Sequence, residues 1–236
     1  MYGGYYYGGY YGGIDSIAFI LLMPALLFSL YAQFKVTSSF NKYLGIQSSS
    51  GLTGYEVARL ILDRNGLYHI RIEPIGGNLT DHYDPRNKVI RLSRNVYNGR
   101  SVAAVSVAAH EVGHAIQHGE GYFPLILRNN IAPIASIGAR FVWFLILLGF
   151  IISPFFIELG ILLYVAVVLF QVITLPVEFN ASRRALYQLE NGIIYHDEVD
   201  SSKKVLNAAA LTYVGATLVA LAQLLRLMAM FGRRRD

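Results

Sequence analysis

Ser101-Val102-Ala103-Ala104-Val105-Ser106-Val107-Ala108-Ala109-His110-Glu111-Val112-Gly113-His114 is the stretch that decides how this chain is read. Ser101 is a good N-cap, and the Ala- and Val-rich run behind it is compatible with a helix. On a helix, positions i and i+4 share a face, so the imidazoles of His110 and His114 can reach one Zn²⁺. Glu111, beside the first of them, is placed to hold and deprotonate a water on that ion. Two histidines serving as caps or core residues would be the plain structural alternative. The acid between them favours the metal.

The composition narrows the chemistry further. With six His and no Cys in 236 residues, a metal must be held by imidazoles and carboxylates, and there is neither a disulfide nor a thiol nucleophile. A hydrophobic content of 54%, only 15% charged residues and a mean hydropathy of +0.42 are too apolar for a soluble protein of this length. The net charge of +5 is not arranged as an aromatic-interleaved basic face, so a nucleic-acid partner is not expected. The basic residues instead flank apolar stretches, as membrane-orienting charges do.

Outward from the HEVGH helix, residues 35–122 form the polar part of the chain. Thr53 and Glu56 have the spacing of a capping box for a helix ending near Gly66, with Leu60, Ile61 and Leu67 at its apolar positions. His69–Pro74, Asn78–Tyr83 and Lys88–Ser93 read as strands, and Asp84-Pro85-Arg86-Asn87 is a strong turn signal between the last two. Residues 1–13, MYGGYYYGGYYGG, carry no charge and are expected to be a disordered leader.

Four apolar stretches surround this polar part. Residues 14–34 match the ~30 Å hydrocarbon core and lack the basic start of a signal peptide, so they read as an uncleaved transmembrane helix. Ile134–Phe156 and Leu159–Val177 form a membrane hairpin, 134–177, turning at Ser153-Pro154. Lys35, Lys42, Arg128, Arg140, Arg183 and Arg184 gather at the open ends and none lies in the turn. The positive-inside rule therefore puts the polar part in the cytoplasm. The last run, 208–231, contains Arg226 and precedes Arg233-Arg234-Arg235. A fourth span would export three arginines, whereas a helix lying along the membrane would not. Three or four transmembrane helices are expected.

A catalytic zinc needs three protein ligands and an open position. The extended motif HExxHxxGxxH would place a glycine at 117 and a histidine at 120. Gln117 and Glu120 stand there, which excludes that class. His118 has rotated about 80° from the direction of His110 and reads as an outer or surface residue. A glutamate on a later helix remains. Glu178 follows Pro176 at the cytoplasmic end of the hairpin and begins the segment 178–207, a helix and connector on the same side as HEVGH. Glu190, Asp197 and Glu198 are the alternatives. His82, His196 and Tyr213 are candidates to stabilise an oxyanion.

HEVGHAIQH (110–118), a membrane hairpin and PVEFNASRRAL (176–186), taken together, resemble the YugP-type membrane zinc metallopeptidases of bacteria. More distantly they resemble the gluzincin-like membrane proteases of the heat-shock and prenyl-protein-processing kind. The resemblance runs from Ile14 onward. It implies an α+β zincin-like catalytic domain integrated with a mainly helical membrane bundle, Zn²⁺ as cofactor, and a place in the bacterial cell membrane. For the distant relatives it implies a third-ligand glutamate followed four residues later by a supporting aspartate, a position held here by Ser182. It also implies an extended strand before the active helix that holds substrate backbone by strand addition, for which Asn78–Asp81 or Lys88–Ser93 would serve.

The expected protein is thus a membrane-anchored zinc metallopeptidase with His110, His114 and Glu178 on the metal and Glu111 as general base. Its partners are the lipid bilayer and peptide or protein substrates, including membrane-associated ones. An intramembrane zinc protease and a non-catalytic zinc-binding membrane scaffold compete with this reading. Only about eight apolar residues precede His110 on its helix, too few to span. A site that merely binds metal has no need of an acid at 111. None of these patterns encodes the oligomeric state.

Overall fold

The computed structural model of the protein describes residues 11–231. In chain order the elements are α1 (Tyr11–Leu44), α2 (Gly54–Arg64), β1 (Arg71–Ile75), β2 (His82–Asp84), β3 (Val89–Ser93), α3 (Arg94–Tyr97), α4 (Val102–Gly119), α5 (Phe123–Ile151), α6 (Phe155–Glu190), a 3₁₀ turn (His196–Glu198) and α7 (Val199–Phe231). The chain divides into two compact units. One collects Tyr31–Asn129 and Ile173–Tyr213; the other collects the described parts of Met1–Leu30, Asn130–Val172 and Val214–Asp236.

The first unit is α+β and holds the main core. The Thr53/Glu56 capping box forms as the sequence requires: Glu56 N donates to Thr53 Oγ1, and Thr53 N donates to the Glu56 carboxylate at 2.7 Å. Leu67, Ile61 and Leu62 then pack with Val57, Ile90, Leu92 and Val96, and with Val105, Ala109 and Val112 of α4. The end of α6 (Ala185, Leu189) and the start of α7 (Val205, Leu206) close the same core. Ser101 caps α4, its hydroxyl accepting from Ala104 N at 3.2 Å.

The sheet has the order β1-β3-β2, with β1 parallel and β2 antiparallel to β3. The expected turn at Asp84–Asn87 forms because Asp84 Oδ1 accepts from the backbone N–H groups of Arg86 and Asn87. The stretch Asn78–Asp81 is not a strand. Positive φ at Gly77 (98°) and Leu79 (55°) breaks the extended path, and pairing starts only at His82. Lys88–Ser93 cannot receive a substrate strand either. Its ordered part, β3, is the central strand, with both edges already paired. The edge left for strand addition beside α4 belongs to β2.

In the second unit, Val142, Ile146 and Leu227 pack with Ile161, Tyr164 and Phe231 of α5, α6 and α7. Gly138 allows α5 and α6 to approach closely, since a Cβ there would lie 2.6 Å from Leu163 O. Leu147, Phe150, Leu162, Leu169, Leu225 and Met228 stay exposed, as side chains facing lipid do. Among the described residues, four helices are long and apolar enough to cross a membrane: Ile20–Leu44, Phe123–Ile151, Phe155–Glu190 and His196–Phe231.

Several expected boundaries move. α1 is already helical at Tyr11, the first described residue, so it takes in the end of the expected leader, whose residues 1–10 lie outside the described ones. It also continues ten residues past Phe34 to Leu44, so Lys35 and Lys42 ride on the helix and do not follow it. α5 starts well before Ile134, and α6 runs unbroken through Pro176 to Glu190. Glu178 therefore sits within a continuous helix and does not open a new one. α7 likewise begins at Val199, nine residues ahead of the apolar run at 208–231.

Candidate metal centre

α4 contributes His110, Glu111, His114 and Gln117, which descend one face at helical spacing. α6 contributes Glu178, Asn180, Ser182 and Arg184 across from them. Gly113 brings the two backbones together. His110, His114 and Glu178 form a group whose ligand atoms all lie within 4.8 Å of one another. Glu178 Oε2 is 3.3 Å from His110 Nε2 and 3.5 Å from His114 Nε2. A tetrahedral ion with bonds of about 2.0–2.1 Å sets its ligand atoms about 3.3–3.4 Å apart, so these two separations suit zinc.

The outer hydrogen bonds decide which ring nitrogens face inward. Gln117 Nε2 donates to Val177 O at 2.8 Å and to Asn180 Oδ1 at 2.9 Å. Its Oε1 therefore faces His114 Nδ1, 3.1 Å away, and that nitrogen must donate. In the neutral ring the lone pair of His114 Nε2 then points at Glu178 Oε2. Two acceptors facing each other in a buried site need a proton or a metal cation between them. Glu178 Oε2 is indeed buried without a hydrogen-bond partner. Asn180 Oδ1 also accepts from Arg184 Nε at 2.7 Å, and Arg184 pairs with Glu120, so the support extends beyond the ligands.

The profile of a family described as "putative neutral zinc metallopeptidase" matches residues 18–232. The chain belongs to that family. It is 52% identical over 218 residues to a Bacillus subtilis (strain 168) protein named "Putative membrane protease YugP", which covers 92% of this chain and 97% of the relative. No solved structure matches. With its four apolar helices, the chain is a membrane protein of this zinc metallopeptidase family.

Within this family member, Ser182 occupies the place of the aspartate expected from the more distant relatives. Its Oγ lies 3.2 Å from His110 Nδ1, so a neutral hydroxyl orients the first imidazole where a carboxylate would otherwise do so. Glu111 is buried. Its carboxyl is pushed up to about 7, first by burial, with the charges of Glu178 and Asp81 adding and His110 opposing. A backbone hydrogen bond from Tyr83 on β2 also reaches it.

Two cavities meet at Glu111, Asp81 and Tyr213. A polar one of ≈ 140 Å³ is bordered by His82, His114, Arg128 and Glu178. A larger one of ≈ 250 Å³, on the His110 side, is walled by Val36, Leu79, Val107, Val205, Leu206 and Ala209. Of the three oxyanion candidates, His82 and Tyr213 line the polar cavity, whereas His196 lies in the 3₁₀ turn and lines neither. The alternative ligands Glu190, Asp197 and Glu198 are not in the metal group. Glu198 instead accepts from Ser48 Oγ and Ser49 N. His118 sits outside, 2.8 Å from the Tyr83 hydroxyl, and ties α4 to β2.

Three contributors escape the sequence reading. Arg128 reads as a membrane-orienting charge yet faces Glu178. Gln117 reads only as a departure from a longer motif. Its i+3 spacing from His114 was the available signal. Asp81 gives no signal, because its place depends on accepting from Ser93 N and Oγ, twelve residues away.

Proposed function

We propose that this protein is a membrane-anchored zinc metallopeptidase that hydrolyses peptide bonds at the His110/His114/Glu178 site, with Glu111 as general base. The observation that carries this is the convergence of His110, His114 and Glu178, their ligand atoms within 4.8 Å of one another, with His114 Nδ1 turned away to Gln117. Zinc held there supplies Lewis acidity, lowering the pKa of water towards ~7 and polarising the scissile carbonyl.

The protein's own groups do the rest. Glu111, buried beside the metal group, takes a proton from the attacking water at its carboxylate oxygen and returns it to the leaving amine. The edge of β2, beside Glu111, pairs with substrate backbone. Tyr213, lining the polar cavity, is the donor to the developing oxyanion; His82 is not, because its Nδ1 donates to Thr80 O and its Nε2 faces Arg91 Nη1. The ≈ 250 Å³ cavity next to His110 receives an apolar substrate side chain.

The basic residues at the helix ends favour a site facing the cytoplasm, and a site carried by a membrane-anchored chain favours membrane or membrane-associated proteins as substrates. α4 is not among the four apolar spans and is packed into an α+β core, which argues against an intramembrane protease. A purely structural zinc site would not need a buried acid beside the ligands.

Metal analysis of purified protein, paired with peptide cleavage by wild type and Glu111→Gln, tests the proposal. Zinc in both proteins and cleavage in wild type alone are expected. A metal-free wild type, or full activity in the variant, would overturn it.

A further inference from the structure

The two oxygens of Glu178 face different partners. Oε2 looks at the two Nε2 atoms, 3.3 and 3.5 Å away, while Oε1 lies 3.9 Å from Arg128 Nη1. That last separation is an ion-pair distance, longer than a hydrogen bond. Glu178 is almost fully buried, and the Arg128 side chain is only 26% exposed. An arginine keeps its charge at any pH the fold survives, so this cation is a fixed feature of the site. Both side chains border the same polar cavity.

The division of labour matters because carboxylates bind metals through one oxygen or through both. A glutamate chelating with both would occupy space at a centre whose catalysis depends on keeping one position open. A permanent cation on the Oε1 side holds that oxygen by charge and repels a second cation from it. We infer that Arg128 is a positioning residue that withholds Glu178 Oε1 from the metal, so that Glu178 ligates through Oε2 alone. This rests on the metal site proposed above. Arg128 touches no reacting atom in this role; it acts through the ligand.

Cobalt(II) is the probe, because its visible absorption is strong in four-coordinate sites and weak when a fifth donor binds. The full chain in detergent is stripped of metal and loaded with Co²⁺ as wild type, Arg128→Gln and Arg128→Lys. Wild type should give the intense spectrum. Arg128→Gln should lose most of that intensity while still binding cobalt, and Arg128→Lys, which keeps the charge, should retain it.

An unchanged Arg128→Gln spectrum overturns the inference, as does a weak spectrum in wild type. A Lys variant that matches Gln overturns it too, since charge would then not be the agent. A Gln variant that binds no cobalt also overturns it, because Arg128 would then hold the whole site and not one oxygen. A wild type that binds no cobalt removes the metal site itself, and this inference with it.

Discussion

Gly113 lies so close to Ala181 that a Cβ placed on it would come within 2.6 Å of the Ala181 carbonyl oxygen. The contact involves backbone, not the end of a flexible side chain, so a methyl group there must push α4 and α6 apart. Glu178 and Ser182 lie on either side of Ala181 on α6, and His110 and His114 lie on either side of Gly113 on α4. Gly113→Ala is therefore expected to cost about 1–3 kcal/mol in stability, as overpacking does. It should also weaken zinc binding, measured by chelator competition. Wild-type zinc affinity in this variant would show that the two helices do not set the ligand spacing.

The hydrogen bonds behind the imidazoles give a second expectation. Gln117→Leu removes the acceptor that fixes His114 with its proton on Nδ1, and removes the amide that donates to Val177 O and Asn180 Oδ1. Zinc affinity should fall about 10–100-fold. Ser182→Asp should act in the opposite direction, because a carboxylate against His110 Nδ1 makes the ring a better donor than the hydroxyl now 3.2 Å away. Titration of both proteins with a zinc-competing indicator checks the pair. A Gln117→Leu protein that binds as tightly as wild type would contradict the assigned tautomer.

How far these features could be read from the sequence depended on distance along the chain. The i, i+4 pair, the capping box and the Asp84–Asn87 turn are local rules, and each forms where its residues require. Glu178 could be singled out because the hairpin, visible in hydropathy alone, returns the chain beside α4. Arg128 and Asp81 could not, since their roles come from packing between elements that no periodicity describes. The helix ends at Leu44 and Phe123, and the continuity of α6 through Pro176, were missed for a related reason. Hydropathy marks where lipid begins, whereas a helix continues for as long as its backbone stays paired and its face stays packed.

Metal-stripped protein should become less stable as pH rises from about 4.5 towards 7. Burial lifts the Glu111 carboxyl from its ordinary 4.5 to about 7 in the folded chain. Between those values the folded state holds a proton that the unfolded state has released. Unfolding free energy then falls with rising pH, and the stabilisation present at low pH is lost by about 7. Thermal unfolding of metal-free wild type and Glu111→Gln at a series of pH values isolates the effect. The fall should flatten in the variant. An identical slope in both would assign it to other groups.

The apolar cavity beside His110 should set side-chain preference. Val107, Leu206 and Ala209 line it on α4 and α7, and Ala209 is only partly buried, so it can grow without disturbing the core. Wild type should prefer an aliphatic residue over glycine or aspartate at one position next to the scissile bond. Since each methylene in such a pocket is worth about 10–200-fold in discrimination, Ala209→Phe should reverse the preference towards small residues by a factor on that order. A peptide library read by mass spectrometry gives both profiles from one experiment, and the zinc content of the variant confirms that the site survives. Loss of the aliphatic preference on filling the cavity would place the substrate side chain there; an unchanged profile would place it elsewhere along the edge of β2.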